Sequence, residues 1–204
     1  MDSELPALPH EDRVGRPAAT TAHELAAVAQ RLFLTRGFEQ TSVEEIAEAA
    51  GIGRRTFFRY FSTKADVLFV ESAAELDRLR AHLAAGDPAE PYQDVVTRSV
   101  VAALQFPSAE RDWAQTRAQL LLSVPAVQAH AMHRYAEWRA VAAEYAGARS
   151  GQPADALFPL AVGQAVLAAT LAAHEHWVAH PEADLFETLP RALALLLPPL
   201  PAAG

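Results

Sequence analysis

Helix starts are the feature that most restricts how this chain can fold. Thr21–Ala22–His23–Glu24 and Ser42–Val43–Glu44–Glu45 both fit a capping box. In such a box a hydroxyl and an acid three residues later each satisfy a free backbone N–H at the head of a helix. Behind the first box, Leu25, Val28, Ala29, Leu32 and Phe33 repeat at helical spacing until Gly37 supplies a stop. Behind the second, Val43, Ile46, Ala47 and Ala50 form one face. Gly51–Ile52–Gly53 reads as a turn, with Ile52 placed to plug the core between two helices. Arg54 to Phe61 makes a short third helix, and Ser62 or Thr63 caps a longer fourth running to about Ala85.

After Gly86–Asp87–Pro88 the helical pattern continues between prolines. Helices are expected over Pro91–Phe106, Ala109–Val124, Ala126–Arg149, Asp155–His180 and Glu182–Leu197, with Pro159 and Pro190 in first turns or at kinks. Period-2 alternation is absent, so the fold class is all-α. The expected division is an N-terminal arm over 1–19, a three-helix helix-turn-helix unit over 20–66, and a helical bundle over 67–204.

Of the 204 residues, 51% are hydrophobic and 21% charged, which excludes a disordered chain. Cysteine is absent, which excludes a disulfide scaffold, a thiol nucleophile and a cysteine zinc site. No apolar run is read as approaching the ~18 residues of a spanning helix. The N-terminus lacks the pattern of a signal peptide, so a soluble cytoplasmic protein without a membrane partner is expected. The net charge of −8 argues at first against a nucleic-acid partner. Its distribution reverses that: Gly51 to Lys64 holds Arg54, Arg55, Arg59 and Lys64 with no acid, whereas Ala65 onward carries a net −7.

Two short helices joined by a glycine turn, the second of them basic, make a helix-turn-helix arrangement. Arg54, Arg55, Thr56, Phe57 and Arg59 are read as outward-facing, with Phe58 and Phe61 inward. Arginine can donate twice to guanine, and Thr methyl or Phe can touch the thymine methyl. Thr41, Tyr60 and Lys64 flank the helix where hydroxyl and ammonium groups can hold phosphates.

Leu32–Phe33, Gly37–Phe38, Thr41–Ser42–Val43, Ile46–Ala47, Ala50–Gly51–Ile52 and Thr56–Phe57–Phe58–Arg59–Tyr60–Phe61 with Lys64 resemble the DNA-binding domain of TetR/AcrR-type regulators. The resemblance implies an all-helical dimer: the first three helices bind double-stranded operator DNA, and a larger C-terminal domain dimerises and binds a small hydrophobic effector. By position it implies that Thr41 and Lys64 touch phosphates and Arg54 to Phe57 face bases. The family often has Tyr where Phe58 stands, so one phosphate-contacting hydroxyl is missing and Tyr60 is expected to compensate. Arg13–Val14–Gly15–Arg16–Pro17, Gly51 to Phe61, Pro125 to His130, Arg134–Tyr135 and Trp138–Arg139 are similar to regulators associated with mycofactocin systems. Acyl-type effectors, acyl-CoA thioesters among them, occur among relatives.

Arg13 and Arg16 precede the first helix in a segment expected to be extended; such an arm can enter a minor groove, so Arg16 joins the DNA contacts. In the bundle, an apolar pocket is expected to be lined by Trp113, Leu121, Met132, Tyr135 and Trp138, with Arg117, His130 or Arg134 orienting a polar group. Ala161, Gly163, Ala165, Ala168 and Ala172 leave the eighth helix with little bulk, and Leu193 and Leu197 lie on the ninth. Together they predict a twofold four-helix dimer interface.

Other chemistry finds little support. His174–Glu175–His176 with His180 is not HExxH, and His130 with His133 supplies only two imidazoles, so no metal site is expected. Dinucleotide, Walker and nucleophile-elbow motifs are absent; no catalytic residue and no cofactor is expected. Two other classes stay open: a DNA-independent interaction protein whose basic helix docks an acidic partner, and a helical enzyme using His with Asp or Glu.

Overall fold

The computed structural model describes residues 21–201, and among these it is helical throughout, with no strand. The arm over 1–19, with Arg13 and Arg16, lies outside the described residues.

Both capping boxes form. Thr21 Oγ1 accepts the Glu24 N–H at 3.1 Å while Glu24 accepts the Thr21 N–H at 2.7 Å, and α1 runs Ala22–Arg36. Ser42 and Glu45 repeat the exchange at the head of α2, Val43–Ala49. Gly51 turns the chain with φ +66°, a left-handed value that a side chain would resist. The short α3 follows at Arg54–Tyr60. Leu25, Phe33, Ile46 and Phe57 meet in the centre of the three helices.

The expected long fourth helix is divided. Thr63 and Asp66 form a third capping box, but it opens a 3₁₀ helix, Lys64–Phe69, and α4 begins only at Ser72 and runs to Ala84. The reason is burial on several sides: Ala65, Val67, Leu68 and Phe69 are all buried, which no single face of an α-helix could achieve. This segment carries the first core onward to Leu120, Val127 and Ala131.

The second core is built from α4, α5 (Tyr92–Leu104), α6 (Arg111–Ser123), α7 (Pro125–Ser150), α8 (Leu157–Ala179) and α9 (Leu185–Leu196). Pro125 and Pro159 stand in first turns, where no intrahelical N–H is lost, whereas Pro190 sits inside α9. Gly163 lets α8 approach α7: a Cβ there would lie 2.5 Å from the Arg139 carbonyl oxygen.

α8 also corrects the reading of apolar runs. Within its 23 residues an 18-residue stretch has a mean hydropathy of 1.5, enough by length and composition to cross a membrane. Its apolar character has a local cause, since Val162, Val166, Ala169, Ala173 and Trp177 are buried in the bundle core.

Candidate DNA interface and effector cavity

The phase of α3 differs from the sequence reading by one position. Phe57 is 0% exposed and packs in the first core, whereas Phe58 is 42% exposed. Phe57 is therefore a core residue rather than a base-facing one, and Phe58 takes its place outside. Arg54, Arg55 and Arg59 are exposed as expected, with Thr56 and Tyr60 half-buried beside them. Arg54 is drawn sideways: its Nε lies 2.5 Å from Glu44, and its guanidinium sits 5.0 Å from the Phe58 ring centre. Arg59 lies over the Tyr60 ring. Among the described residues, Arg55 has no such attachment. Arg55→Ala is therefore expected to cost about 1–3 kcal/mol of operator binding and to relax sequence preference. Fluorescence anisotropy against operator variants checks this, and unchanged affinity would remove Arg55 from the interface.

Two expected phosphate contacts are engaged inside the protein. Thr41 is 1% exposed, and its hydroxyl donates to the Gly37 carbonyl at 2.7 Å. Lys64 Nζ donates to the carbonyls of Phe38 at 2.7 Å, Thr41 at 3.2 Å and Glu39 at 3.4 Å, and lies over the Phe38 ring. Both side chains thereby fix the α1–α2 connection, and the Lys64 side chain stays partly exposed.

Behind this unit lies a cavity of about 320 Å³. Trp113, Arg117, Leu121, Arg134, Tyr135 and Trp138 line it, as the sequence suggested. Two named residues do not. Met132 points away from the bundle and is 56% exposed. His130 turns to Asp66, with Nε2 2.8 Å from the carboxylate, on which Arg134 also donates at 3.3 Å. Burial would raise the Asp66 carboxyl, but the hydrogen bonds from His130 and Thr63 outweigh it and hold it below the ordinary carboxylate range. The sequence reading missed His23 of α1, Glu75 and Arg78 of α4, Phe106, and Thr170, His174 and Trp177 of α8. Trp177 had a signal, since all three tryptophans of the chain line this one cavity.

The cavity's charges are largely paired. Arg117 donates to both oxygens of Glu75, at 2.6 and 3.0 Å, and its Nε donates to the Leu68 carbonyl at 2.8 Å. Burial opposes the Glu75 carboxylate, yet the Arg117 guanidinium keeps its carboxyl below the usual range. Arg78 is spent on the Ala103 carbonyl. On the wall formed by α1, His23 lies against Trp113 with ring centroids 4.4 Å apart and the planes tilted by 32°. The Gln30 amide, oriented to satisfy both its ends, bonds the Trp113 indole N–H and carbonyl.

Part of the face expected to dimerise is buried inside the chain itself. Gly163, Leu193 and Leu197 are buried within this chain, the glycine against α7 and the leucines in the second core. Ala161, Ala168 and Ala172 are exposed, and Ala165 is half-buried. Leu157, Leu160, Leu195 and Leu196 are the large apolar residues exposed on the same two helices, with Leu195 at 84%. Among the described residues, no three His, Asp or Glu side chains are grouped to hold a metal; His176 and His180 stack on each other near the end of α8.

Residues 25–70 match the family described as bacterial regulatory proteins, tetR family, and residues 90–201 match the MftR C-terminal domain. The chain belongs to the TetR family of transcriptional regulators. It is 36% identical over 182 residues to the mycofactocin biosynthesis transcriptional regulator MftR of Mycobacterium tuberculosis, covering 89% of this chain and 92% of that one. The resemblance to mycofactocin-system regulators therefore holds over most of the chain. Among solved structures, this TetR-family regulator is similar to Thermus thermophilus FadR, a transcriptional repressor in complex with lauroyl-CoA. That match has 26% identity and a TM-score of 0.56, and covers 90% of this chain and all of the other. The fatty acid degradation regulator FadR of Bacillus halodurans shares the fold, with a TM-score of 0.61 and 18% identity over 88% of this chain and 96% of that one. These relatives are transcriptional regulators, and this chain is a regulator rather than an enzyme.

Proposed function

We propose that this TetR-family chain is a dimeric repressor that binds palindromic operator DNA and is released by an apolar, acyl-CoA-like effector. DNA contact is assigned to Arg54, Arg55, Thr56, Phe58, Arg59 and Tyr60 in the unit over 20–66, and effector binding to the unit over 67–204. Dimerisation is assigned to the exposed stripe of α8 and α9, carried by Leu157, Leu160, Ala161, Ala168, Ala172 and Leu195. A contiguous apolar surface on paired helices is the kind that a second copy buries.

One observation carries the reading. The cavity is walled jointly by His23 of α1, Phe69 of the 3₁₀ helix, Glu75 of α4 and the helices of the bundle. Any occupant touches the segments that hold the DNA-binding unit in place. A ligand that binds the DNA-incompetent arrangement more tightly then shifts the equilibrium by that difference in affinity. The lauroyl-CoA complex of a neighbour with 26% identity supports an acyl thioester as the effector class.

A mobility shift with DNA from upstream of the chain's own gene tests the first half. Two inverted half-sites per dimer are expected. Affinity should also fall steeply with salt as phosphate contacts release counterions. A monomeric mass at micromolar concentration, or binding without sequence preference, contradicts the proposal.

A further inference from the structure

Three polar side chains of α8 line the cavity: Thr170, His174 and Trp177. Their spacing of four and three residues places them on one helix face. His174 has a defined tautomer. Its Nδ1 lies 2.8 Å from the Thr170 carbonyl oxygen. A carbonyl only accepts, so Nδ1 carries the proton and Nε2 keeps a lone pair. No hydrogen-bond partner for Nε2 is found among the described residues. Burial pushes the imidazole pKa below its ordinary value, which keeps the ring neutral.

Among the described residues, no neighbouring group donates to that lone pair. Glu75 and Arg117 are the charged groups that act on His174, and they satisfy each other in a two-bond pair. Arg117 also donates its Nε–H to the Leu68 carbonyl, so three of its five N–H groups are engaged. Thr170 Oγ1 and Trp177 Nε1 are themselves buried without hydrogen-bond partners. Buried polar atoms are nearly always partnered, so these two, on the same helix face as the unpartnered Nε2 of His174, mark where a ligand's polar group belongs.

We infer that His174 is a specificity-determining residue whose Nε2 accepts a hydrogen bond from a neutral ligand group bearing its own O–H or N–H, a hydroxyl or a secondary amide. A group of that kind donates to His174 and still offers an oxygen toward the unpartnered donors of Thr170 and Trp177. A carboxylate fits His174 poorly, because it only accepts and so has no proton to give the Nε2 lone pair. This inference deepens the effector reading and rests on the cavity being a ligand site; it does not depend on the ligand releasing DNA.

The test measures binding alone, followed by tryptophan fluorescence, since all three tryptophans face the cavity. Three probes share a dodecyl chain: 1-dodecanol, N-methyldodecanamide and dodecyl methyl ether, of which the ether accepts hydrogen bonds but cannot donate. The full-length protein is expected to bind the alcohol or the amide about tenfold or more tightly than the ether; which of the two is preferred identifies the group. In His174→Phe that preference disappears while ether affinity is kept, and His174→Gln, which retains an acceptor, restores part of it. Equal binding of all three probes to the unmodified protein overturns the inference without any variant. So does a preference that survives in His174→Phe, or failure of every probe to bind. Loss of the effector reading shows separately, as lauroyl-CoA leaving operator binding unchanged.

Discussion

Phe57→Ala is expected to lower the stability of the DNA-binding unit by about 3–5 kcal/mol, the usual cost of emptying an aromatic site in a closed core. Phe57 is fully buried, and its ring lies 5.7 Å from that of Phe61. The adjacent Phe58→Ala is expected to change stability by no more than about 0.5 kcal/mol, as for an ordinary surface site. Because Phe58 stands outside beside Arg54, that variant should weaken operator binding instead. Thermal denaturation and anisotropy on both variants separate the two roles. Equal Tm values would contradict the packing described for α3.

Arg117→Leu is the second large effect. The substitution leaves the Glu75 carboxylate buried without its partner and removes the donor to the Leu68 carbonyl. Breaking a buried pair from one side costs about 3–5 kcal/mol. The double variant Arg117→Leu with Glu75→Leu should recover most of this, because no lone charge remains. The pH dependence has a definite sign. Glu75's folded-state pKa lies below its unfolded value, so the pair's contribution is complete above the ordinary carboxylate range. It is lost as pH falls through the folded-state value. Acid unfolding of the double variant should therefore be shallower than that of the unmodified protein. Identical slopes in urea titrations across acid pH would show that the pair does not carry this stability.

The cases of Phe57 and Phe58 show where sequence reading stops. Cap chemistry is local, so Thr21 and Ser42 announced their helices correctly. The cap expected at Ser62 or Thr63 forms at Thr63 but opens a 3₁₀ helix instead of the long fourth helix. The phase of a seven-residue helix is not local: one position rotates the face by about 100°, and two adjacent phenylalanines offer no contrast to choose between. α9 has the same difficulty with leucines. Leu193 and Leu197 belong to the chain's own core, while Leu195 and Leu196 are left outside. A leucine-rich pattern alone cannot say which face meets α8. The division of the fourth helix was hidden because burial around Val67 to Phe69 comes from α1, α6 and α7, all distant in sequence. Met132, Tyr135 and Trp138 were legible as large apolar residues at helical spacing, but only Tyr135 and Trp138 reach the cavity. His174 was read instead as one of a run of histidines. Its role depends on a lone pair that only the Thr170 contact defines.

The central claim is that filling the cavity releases DNA, and one titration tests it directly. Protein bound to a labelled operator fragment from upstream of its own gene is titrated with lauroyl-CoA, with coenzyme A alone as the control, while anisotropy and tryptophan emission are recorded together. The account predicts that lauroyl-CoA changes the tryptophan emission and releases the DNA over the same concentration range, and that coenzyme A alone does neither. A change in emission that saturates while the operator stays bound would contradict it.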